Sequence, residues 1–340
     1  MKGSGRPIRV GIYGASGYVG YELVQWIDRH PELNLVFATG DSSVGQMLSD
    51  LYPTPRSLKL ISAENAPLQD IDLAFLCTPH SQSIVSQLAK ADKKIIDCGG
   101  DFRLQNTQDF KKWYGSEHTE PALVKHFVYG LPELNREQIK RAQFVANPGC
   151  YPTSIALGLL PFSKRPEWLG AGSIVMDSKS GISGAGRKAA TGSLFAEVAE
   201  NIRPYNIGSA HRHYPEILQT LTQALAKAPS FVFTPQVLPV IRGILSNIYV
   251  PLAKPISADE LRGLYTEFYA QEKFVKVLEG GKQSQLSYVT GTNQCVISLE
   301  VANGMAIITS CIDNLVKGAA GQAIQNANLM FGFDEGLGLC

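Results

Sequence analysis

The chain has 340 residues, 44% of them hydrophobic and 18% charged, and its 31 Lys and Arg against 30 Asp and Glu give a formal charge of +1. This length predicts two domains with their own cores and a cleft between them. The balanced charge argues against nucleic acid as a partner. No apolar run reaches the roughly 18 residues that cross a bilayer, and the short polar start is not a signal peptide. We therefore expect a cytoplasmic protein that binds neither nucleic acid nor membranes.

The first half of the chain alternates apolar strands with helical segments. An apolar strand at 8–13 is followed by a glycine-rich turn and a helix to about Arg29, and further strands are predicted at 33–38, 71–77 and 94–98, with a helix at 81–91. Strands that alternate with helices favour a parallel sheet with right-handed crossovers. The fold class expected here is α/β, a Rossmann-type doubly wound parallel sheet.

The second half has a different pattern. A helix-like run at 153–160 leads into an apolar segment at 172–180 and strands at 231–239 and 244–252. Two strands at 295–302 and 305–312 flank Asn303-Gly304, a pair typical of a type I′ hairpin turn. This pattern predicts a second, α+β domain with an antiparallel or mixed sheet. Residues 1–150 would form the dinucleotide-binding domain, 151–313 the catalytic domain, and 314–340 a helical segment returning to the first domain.

The glycine-rich turn is the first candidate binding site. Gly14, Gly17 and Gly20 are spaced three apart directly after a strand, where a turn into a helix needs positive φ and close backbone approach. Backbone N–H groups and the helix dipole at such a turn can bind a pyrophosphate. The spacing is GxxGxxG rather than GxGxxG, so a tight turn without a ligand is the alternative.

The choice between NADP and NAD stays open in the sequence. Asp41 follows Gly20 by 21 positions, close to where an acidic residue binds the ribose 2′-hydroxyl of NAD. Ser42 and Ser43 follow it, and their hydroxyls could instead receive the 2′-phosphate of NADP.

Cysteine usage points to thiol chemistry. Cysteines stand at 77, 98, 150, 295, 311 and 340 without CxxC spacing, which argues against a zinc site and against a disulfide framework. Cys77 and Cys98 lie in or at the end of apolar strands and are interpreted as small buried residues. Cys150 lies among turn residues where a helix begins, and a helix N-terminus favours the nucleophilic thiolate.

A second cluster of titratable residues follows in the second half. His211 and His213 are two apart, and Glu216 could fix the tautomer of one of them. A surface cluster or a metal site is the alternative, but no third ligand is near. Arginines that could bind an anionic substrate are Arg103, Arg187 and Arg212. A second glycine-rich segment at 180–186 suggests a loop that passes close to a ligand.

Together these motifs resemble the N-acetyl-gamma-glutamyl-phosphate reductases, in their longer single-chain type, of the semialdehyde dehydrogenase superfamily. The resemblance lies in blocks that follow one another along nearly the whole chain: 14–20, 148–153, 180–188, 211–213, 215–216 and 313–320.

The resemblance implies that the second domain is a substrate and dimerisation domain, and it implies a role for each matching residue. Cys150 would be the nucleophile, with His213 as acid/base, Glu216 as its orienting residue and His211 as the less favoured acid/base. The remaining residues would bind ligands: Gly14, Ser16, Gly17, Tyr18, Val19 and Ser42 the coenzyme, Gly184 and Asn314 the nicotinamide, and Arg103, Asn147, Arg187 and Arg212 the substrate. The Cys150 N–H and Asn147 are the candidate donors to the oxyanion.

The implied reaction is an NADPH-dependent reduction of N-acetyl-L-glutamyl 5-phosphate, through a cysteine thioester, to the semialdehyde in arginine biosynthesis. The implied assembly is a homo-oligomer, a dimer or tetramer, with NADP as cofactor and no metal. Two alternatives share parts of the pattern. One is the same chemistry on a glutamyl or aminoadipyl phosphate bound to a carrier protein, in lysine or ornithine biosynthesis, and the other is a nucleotide-binding regulator without catalysis.

Overall fold

The computed structural model describes residues 6–339, which divide into two compact units. The described parts of 1–148 and 319–340 form the first unit, and 149–318 form the second. Gly149 and Cys150 thus belong to the second unit, and the chain returns to the first unit at Ala319 rather than at Asn314. Within residues 6–339 no helix is long and apolar enough to cross a membrane.

The described chain contains strands in both units. They are β1 (Ile8–Tyr13), β2 (Leu33–Ala38), β3 (Leu73–Leu76), β4 (Lys94–Asp97), β5 (Phe127–Tyr129), β6 (Phe144–Ala146), β7 (Ile174–Gly181), β8 (Arg203–Pro204), β9 (Phe231–Leu238), β10 (Ile244–Pro251), β11 (Val275–Val277), β12 (Cys295–Ala302) and β13 (Met305–Ile312).

The α-helices are α1 (Tyr18–Arg29), α2 (Gln82–Lys90), α3 (Thr107–Tyr114), α4 (Pro121–Val124), α5 (Pro132–Arg141), α6 (Cys150–Leu159), α7 (Phe195–Val198), α8 (Tyr214–Leu225), α9 (Ala258–Phe268) and α10 (Gly321–Phe331). Short 3₁₀ helices lie at Leu48–Asp50, Leu68–Asp70, Leu160–Lys164, Pro166–Trp168, Ile182–Ala185, Thr191–Ser193 and Leu286–Tyr288, and one turn of π-helix at Val316–Ala320.

The first unit is built on a six-stranded parallel sheet in the order β2-β1-β3-β4-β6-β5. This confirms the predicted doubly wound sheet. Its strands are buried on both faces; all four residues of β3, for example, are buried. The chain runs outward to β2 on one side of β1 and to β3 on the other. The carboxyl ends of β1 and β3 therefore form a topological switch point, where sheets of this kind bind ligands.

The second unit is built on a seven-stranded mixed sheet in the order β11-β12-β13-β10-β7-β9-β8, as the sequence predicted. The β12–β13 hairpin has the predicted bounds, and its turn residues Asn303 and Gly304 both have positive φ (50° and 73°), as a type I′ turn requires. Helix α6 packs on β10 and β13, and all its residues from Tyr151 to Leu159 are buried.

The segment after β13 differs from its prediction. A helical segment was predicted to begin at residue 314, but the chain forms one turn of π-helix at Val316–Ala320 before α10 begins at Gly321. The Gly318 N–H donates to the Asp313 carbonyl oxygen at 2.9 Å, five residues back, which widens the turn. Hydrophobic periodicity in the sequence cannot reveal that one helical turn contains an extra residue.

Candidate active site

The glycine loop of the first unit joins β1 to α1 at the switch point. Gly14 has φ +87°, and a β-carbon there would lie 2.8 Å from Thr78 Cγ2. A β-carbon on Gly20 would lie 2.3 Å from the Gly14 carbonyl oxygen, so the helix can approach the loop only with glycine at this position. Gly17 is the N-cap of α1, and a β-carbon there would meet only the Gly14 carbonyl oxygen, at 3.5 Å.

This loop fits the pyrophosphate of a dinucleotide. The first-turn N–H groups of a helix have no carbonyl partner within the helix, and the dipole favours an anion there. Ser16, Tyr18 and Val19 are partly exposed at this end of α1, whose first turn contains no acidic residue. Close contacts of the backbone explain Gly14 and Gly20, whereas no contact closer than 3.5 Å requires glycine at Gly17.

The loop after β2 does not decide between the two coenzymes. Asp41 and Ser42 are both exposed, while Ser43 is buried. Thr39, at the end of β2, supports the glycine loop instead, because its Oγ1 accepts from Gly14 N at 3.1 Å. Asp41 and Ser42 are thus both placed where a ligand on the surface could reach them.

Arg103 lies in a buried polar cluster at the carboxyl end of β4. Its guanidinium donates from Nε to the Asn147 carbonyl oxygen at 2.8 Å and from Nη2 to the Cys98 carbonyl oxygen at 3.0 Å. Burial, together with the charge of Asp101, raises the pKa of the fully buried Asp97 carboxyl to about 7, and Arg103 opposes that rise. The Arg103 guanidinium is therefore held near the carboxyl ends of the parallel strands, where sheets of this kind bind ligands.

The Asn147 side chain is hydrogen-bonded within the first unit, and its binding of substrate stays a prediction. Its side chain is 1% exposed, its Nδ2 donates to the Ala319 carbonyl oxygen at 3.0 Å, and its Oδ1 accepts from Asn326 Nδ2 at 3.0 Å. The amide thus ties the end of β6 to α10 within the first unit. We do not assign the oxyanion to Asn147.

In the second unit, Cys150 is the first residue of α6. Gly149 is the N-cap, and Pro152, which has no N–H, stands in the first turn, where helices tolerate proline. The Thr153 N–H donates to the Gly149 carbonyl oxygen at 2.9 Å, the first bond of the helix. Cys150 is partly exposed. A partly exposed thiol at a helix N-terminus has the surroundings of a reactive cysteine.

Glu216, in the first turn of α8, holds the start of α6. Its carboxylate is 1% exposed, and Oε1 accepts from the Gly149 N–H at 2.7 Å. A buried carboxylate bound to a backbone N–H makes a charge-assisted bond. The orientation of His213 by Glu216 stays a prediction.

The two histidines lie together, with ring centroids 4.9 Å apart, and both are buried. His211 Nδ1 accepts from the His213 backbone N–H at 3.0 Å, which leaves the proton of the neutral ring on Nε2. Burial, and to a lesser degree the charge of Arg212, lower the pKa of His211 to about 4. His211 is therefore neutral at pH 7 and supports the backbone of its neighbour.

Two tyrosines near these groups were not predicted as site residues. The Tyr205 hydroxyl donates to the Tyr151 hydroxyl at 3.3 Å, and the Tyr151 hydroxyl donates to the Gln236 carbonyl oxygen at 3.1 Å. The pKa of Tyr205 is raised to about 12, mainly by burial. Cys150 contributes to this rise, and the charge of Arg212 opposes it. Tyr205 lies in an irregular stretch with no periodicity, so sequence patterns gave no signal for it.

The second glycine segment is tied to the end of β13 through Asn314. Asn314 Nδ2 donates to Ser183 Oγ at 2.9 Å, and Oδ1 accepts from Gly243 N at 2.7 Å. A β-carbon on Gly184 would lie 2.9 Å from Ser180 Oγ and 3.8 Å from Asn314 Nδ2. Gly184 and Asn314, predicted to bind the same group, are therefore neighbours.

The predicted substrate arginines of this unit, Arg187 and Arg212, are both exposed. Within residues 6–339 no group of three or more His, Cys, Asp or Glu side chains is arranged to hold a metal ion. The five cysteines of the described chain are free thiols, and Cys340 lies outside the described residues.

Comparison with known families assigns each half of the chain. Residues 9–142 match the family described as semialdehyde dehydrogenase, NAD binding domain, and residues 150–314 match semialdehyde dehydrogenase, dimerisation domain. The chain belongs to the semialdehyde dehydrogenase family. Cys150 is the first residue of the second match and Asn314 the last.

Full-length relatives narrow the resemblance. The chain is 44% identical to N-acetyl-gamma-glutamyl-phosphate reductase of Pelotomaculum thermopropionicum, over 98% of this chain and 97% of that protein. It is 45% identical to the protein of the same name from Desulfotalea psychrophila, over 98% of each. Within the family, the chain belongs with the N-acetyl-gamma-glutamyl-phosphate reductases.

Solved structures of this family share the fold. Aspartate semialdehyde dehydrogenase II of Vibrio cholerae, complexed with ASA, superimposes with a TM-score of 0.74 at 18% identity and covers 96% of this chain and 98% of its own. Aspartate semialdehyde dehydrogenase of Candida albicans, determined with NADP, gives 0.72 at 14% identity, over 95% and 98%.

We predict that His211 titrates near pH 4, because its folded-state pKa is depressed by burial. The unfolded chain binds this proton first as the pH falls below about 6.5, so the stability that the neutral ring contributes is complete above that pH and is lost toward pH 4. NMR of the imidazole nitrogens, with His211→Asn to assign the signal, would measure it. A midpoint near 6.5, or a neutral ring protonated on Nδ1, would contradict the structure.

Proposed function

We propose that this chain reduces N-acetyl-L-glutamyl 5-phosphate to N-acetyl-L-glutamate 5-semialdehyde and phosphate through a thioester on Cys150. The observation that carries this proposal is the partly exposed Cys150 thiol at the first residue of α6, one residue after the N–H that Glu216 holds. The names of the full-length relatives support the substrate. The reaction belongs to arginine biosynthesis, and the cytoplasmic location stays a prediction.

In the first step the Cys150 thiolate attacks the acyl carbon, and the bond between that carbon and the phosphate oxygen breaks. Negative charge develops on the carbonyl oxygen as the tetrahedral intermediate forms. The N–H groups of the first turn of α6 point toward the helix start, and we assign them the oxyanion. The exposed cations Arg187 and Arg212, with Arg103 of the first unit, are the candidate partners of the substrate's anionic groups.

In the second step the thioester on Cys150 takes up a hydride and a proton and becomes a thiohemiacetal, and the acid/base side chain donates the proton. The reduced nicotinamide, when bound, would supply the hydride for this reduction. The C–S bond then breaks, the thiolate leaves, and a base accepts the hydroxyl proton as the aldehyde forms. We assign the base to His213, since His211 has a pKa of about 4 and uses its Nδ1 to accept the His213 backbone N–H.

We further propose NADPH as the coenzyme, held by Gly14, Ser16, Gly17, Tyr18 and Val19, with Ser42 toward the 2′-phosphate and Gly184 and Asn314 toward the nicotinamide. The exposed Ser42 supports this choice, and the exposed Asp41 beside it is the feature that would favour NAD. The match to a dimerisation domain supports a homo-oligomer, either a dimer or a tetramer.

The proposed function is tested by phosphate-dependent reduction of NADP with N-acetylglutamate semialdehyde, run beside NAD. The wild type should be active and faster with NADP. Cys150→Ser should lose nearly all turnover, because a serine hydroxyl is a poor nucleophile without a strong base, yet should bind NADPH as the wild type does. Full steady-state activity in this variant would exclude the thioester. Activity confined to a carrier-bound glutamyl or aminoadipyl phosphate would change the assigned substrate but leave the proposed chemistry unchanged.

Substitution by asparagine should distinguish the roles of the two histidines, because the asparagine Oδ1 can replace an imidazole Nδ1 as hydrogen-bond acceptor. His211→Asn should keep most of the activity, because its Oδ1 can still accept the His213 backbone N–H. His213→Asn should lower kcat by roughly 10² to 10⁴-fold, the range for losing a general acid/base. It should also remove from the pH profile of kcat the limb that arises from protonation of His213. The reverse order of activities would assign the base to His211.

A further inference from the structure

The turn of π-helix at Val316–Ala320 lies directly against the nucleophile. A β-carbon placed on Gly318 would lie 2.9 Å from Cys150 Cβ and 3.3 Å from Cys150 Cα. Both Cys150 atoms are at the root of the side chain, so they cannot swing aside as the end of a long side chain would. Gly318 has no positive φ, so its backbone conformation is open to any residue. The contact with Cys150 is what requires glycine here.

The backbone that carries Gly318 is fixed by a buried carboxylate. Asp313 is fully buried, and its Oδ1 accepts from Leu315 N at 2.8 Å and from Val316 N at 3.2 Å. Its Oδ2 accepts from Gly291 N at 2.8 Å. The same residue's carbonyl oxygen accepts the Gly318 N–H at 2.9 Å. The turn is thus anchored at its start by one residue through both its side chain and its backbone.

The turn is anchored in its middle by Lys317. The Lys317 side chain is fully buried, which is rare for lysine, and its ammonium lies 5.7 Å from the centre of the Phe274 ring. A shift of the turn would move this cation out of its place in the interior. Gly318 can therefore not retreat from Cys150 at low cost.

Helix α6, on the Cys150 side of the contact with Gly318, is equally constrained. Helix α6 is buried from Tyr151 to Leu159, and its N-cap Gly149 is held by Glu216. Because neither α6 nor the π-helical turn can retreat at low cost, a β-carbon between them would press on Cys150 Cβ and shift the Sγ that it carries.

We propose that Gly318 is a positioning residue for the Cys150 nucleophile, and this rests on the proposed function of the thiol. Its missing side chain leaves the space in which the Cys150 side chain takes its reactive orientation. Asn314, four residues earlier in the same segment, holds Ser183 and Gly243. The segment from Asp313 to Gly318 therefore sets the place of the nucleophile relative to the second glycine loop.

The test is Gly318→Ala, with Gly263→Ala as matched control. Gly263 lies on the exposed side of α9, and a β-carbon there would meet nothing within 4 Å. We expect Gly318→Ala to slow single-turnover acylation by about 10²-fold, the cost of misplacing a reacting group by about 1 Å. Alkylation of Cys150 by iodoacetamide, followed by peptide mass spectrometry, should also slow, but by a smaller factor, because this reagent is not held in a bound geometry. NADPH affinity should not change. Gly263→Ala should be fully active, with a Tm equal to or above that of the wild type, because alanine favours helix.

A second measurement keeps the proposal testable without any substrate. Gly318→Ala should lower the Tm by clearly more in the wild-type background than in Cys150→Gly, where the contact at 2.9 Å is gone and only Cys150 Cα and the Asp313 carbonyl oxygen, both at 3.3 Å, remain near the new β-carbon. An equal loss of Tm in both backgrounds, or an unchanged alkylation rate of Cys150 in Gly318→Ala, would overturn the positioning role. A wild type inactive on N-acetylglutamyl phosphate would instead overturn the proposed function and leave these two readouts intact.

Discussion

The hydrogen bond from the Gly149 N–H to the Glu216 carboxylate is the contact on which the rest of the site depends. It joins two helix starts, because Gly149 is the N-cap of α6 and Glu216 stands in the first turn of α8, whose N-cap is His213. The proposed nucleophile and the proposed acid/base therefore each lie at the beginning of a helix. A bond of 2.7 Å between these two starts fixes one relative to the other.

The second sheet makes this arrangement stiff. Helix α6 lies on β10 and β13, and its residues from Tyr151 to Leu159 are all buried, so its sequence is mostly apolar instead of carrying a single apolar stripe. The buried hydroxyl groups beneath α6 are hydrogen-bonded to one another. Ser154 Oγ donates to Ser246 Oγ at 2.9 Å, and the Oγ atoms of Ser178 and Ser246 are 2.8 Å apart. A helix so enclosed carries its first residue on a rigid support, which is what a nucleophile requires.

Much of this fold could be predicted from the sequence, and the exceptions have physical causes. Strands β1, β2, β12 and β13 have the predicted bounds because each is a six- or eight-residue apolar run ended by turn residues. Strands β5 and β6 were missed because three residues are too few for any periodicity to show. The helix of Cys150 was predicted three residues late, because the first turn holds Pro152, which read as part of the turn.

The site was less accessible to sequence reasoning than the fold. The glycine loop and Cys150 could be found because glycine spacing and turn context are local properties. The engagement of Asn147 with Ala319 and Asn326, and the contact of Gly318 with Cys150, join residues more than 160 positions apart and leave no local pattern. The sequence likewise could not distinguish the two histidines, and the bond to His211 Nδ1 is what supports our assignment of the base to His213.

The central claim is that the acyl group is carried on Cys150. It is tested most directly by mixing the protein with N-acetylglutamate semialdehyde and NADP in the absence of phosphate, quenching in acid, and mapping the mass of each peptide. The account predicts an N-acetylglutamyl adduct on the peptide that contains Cys150, which disappears when phosphate is added before the quench. An unmodified Cys150 during a burst of NADPH formation, or an adduct on another residue, would contradict it.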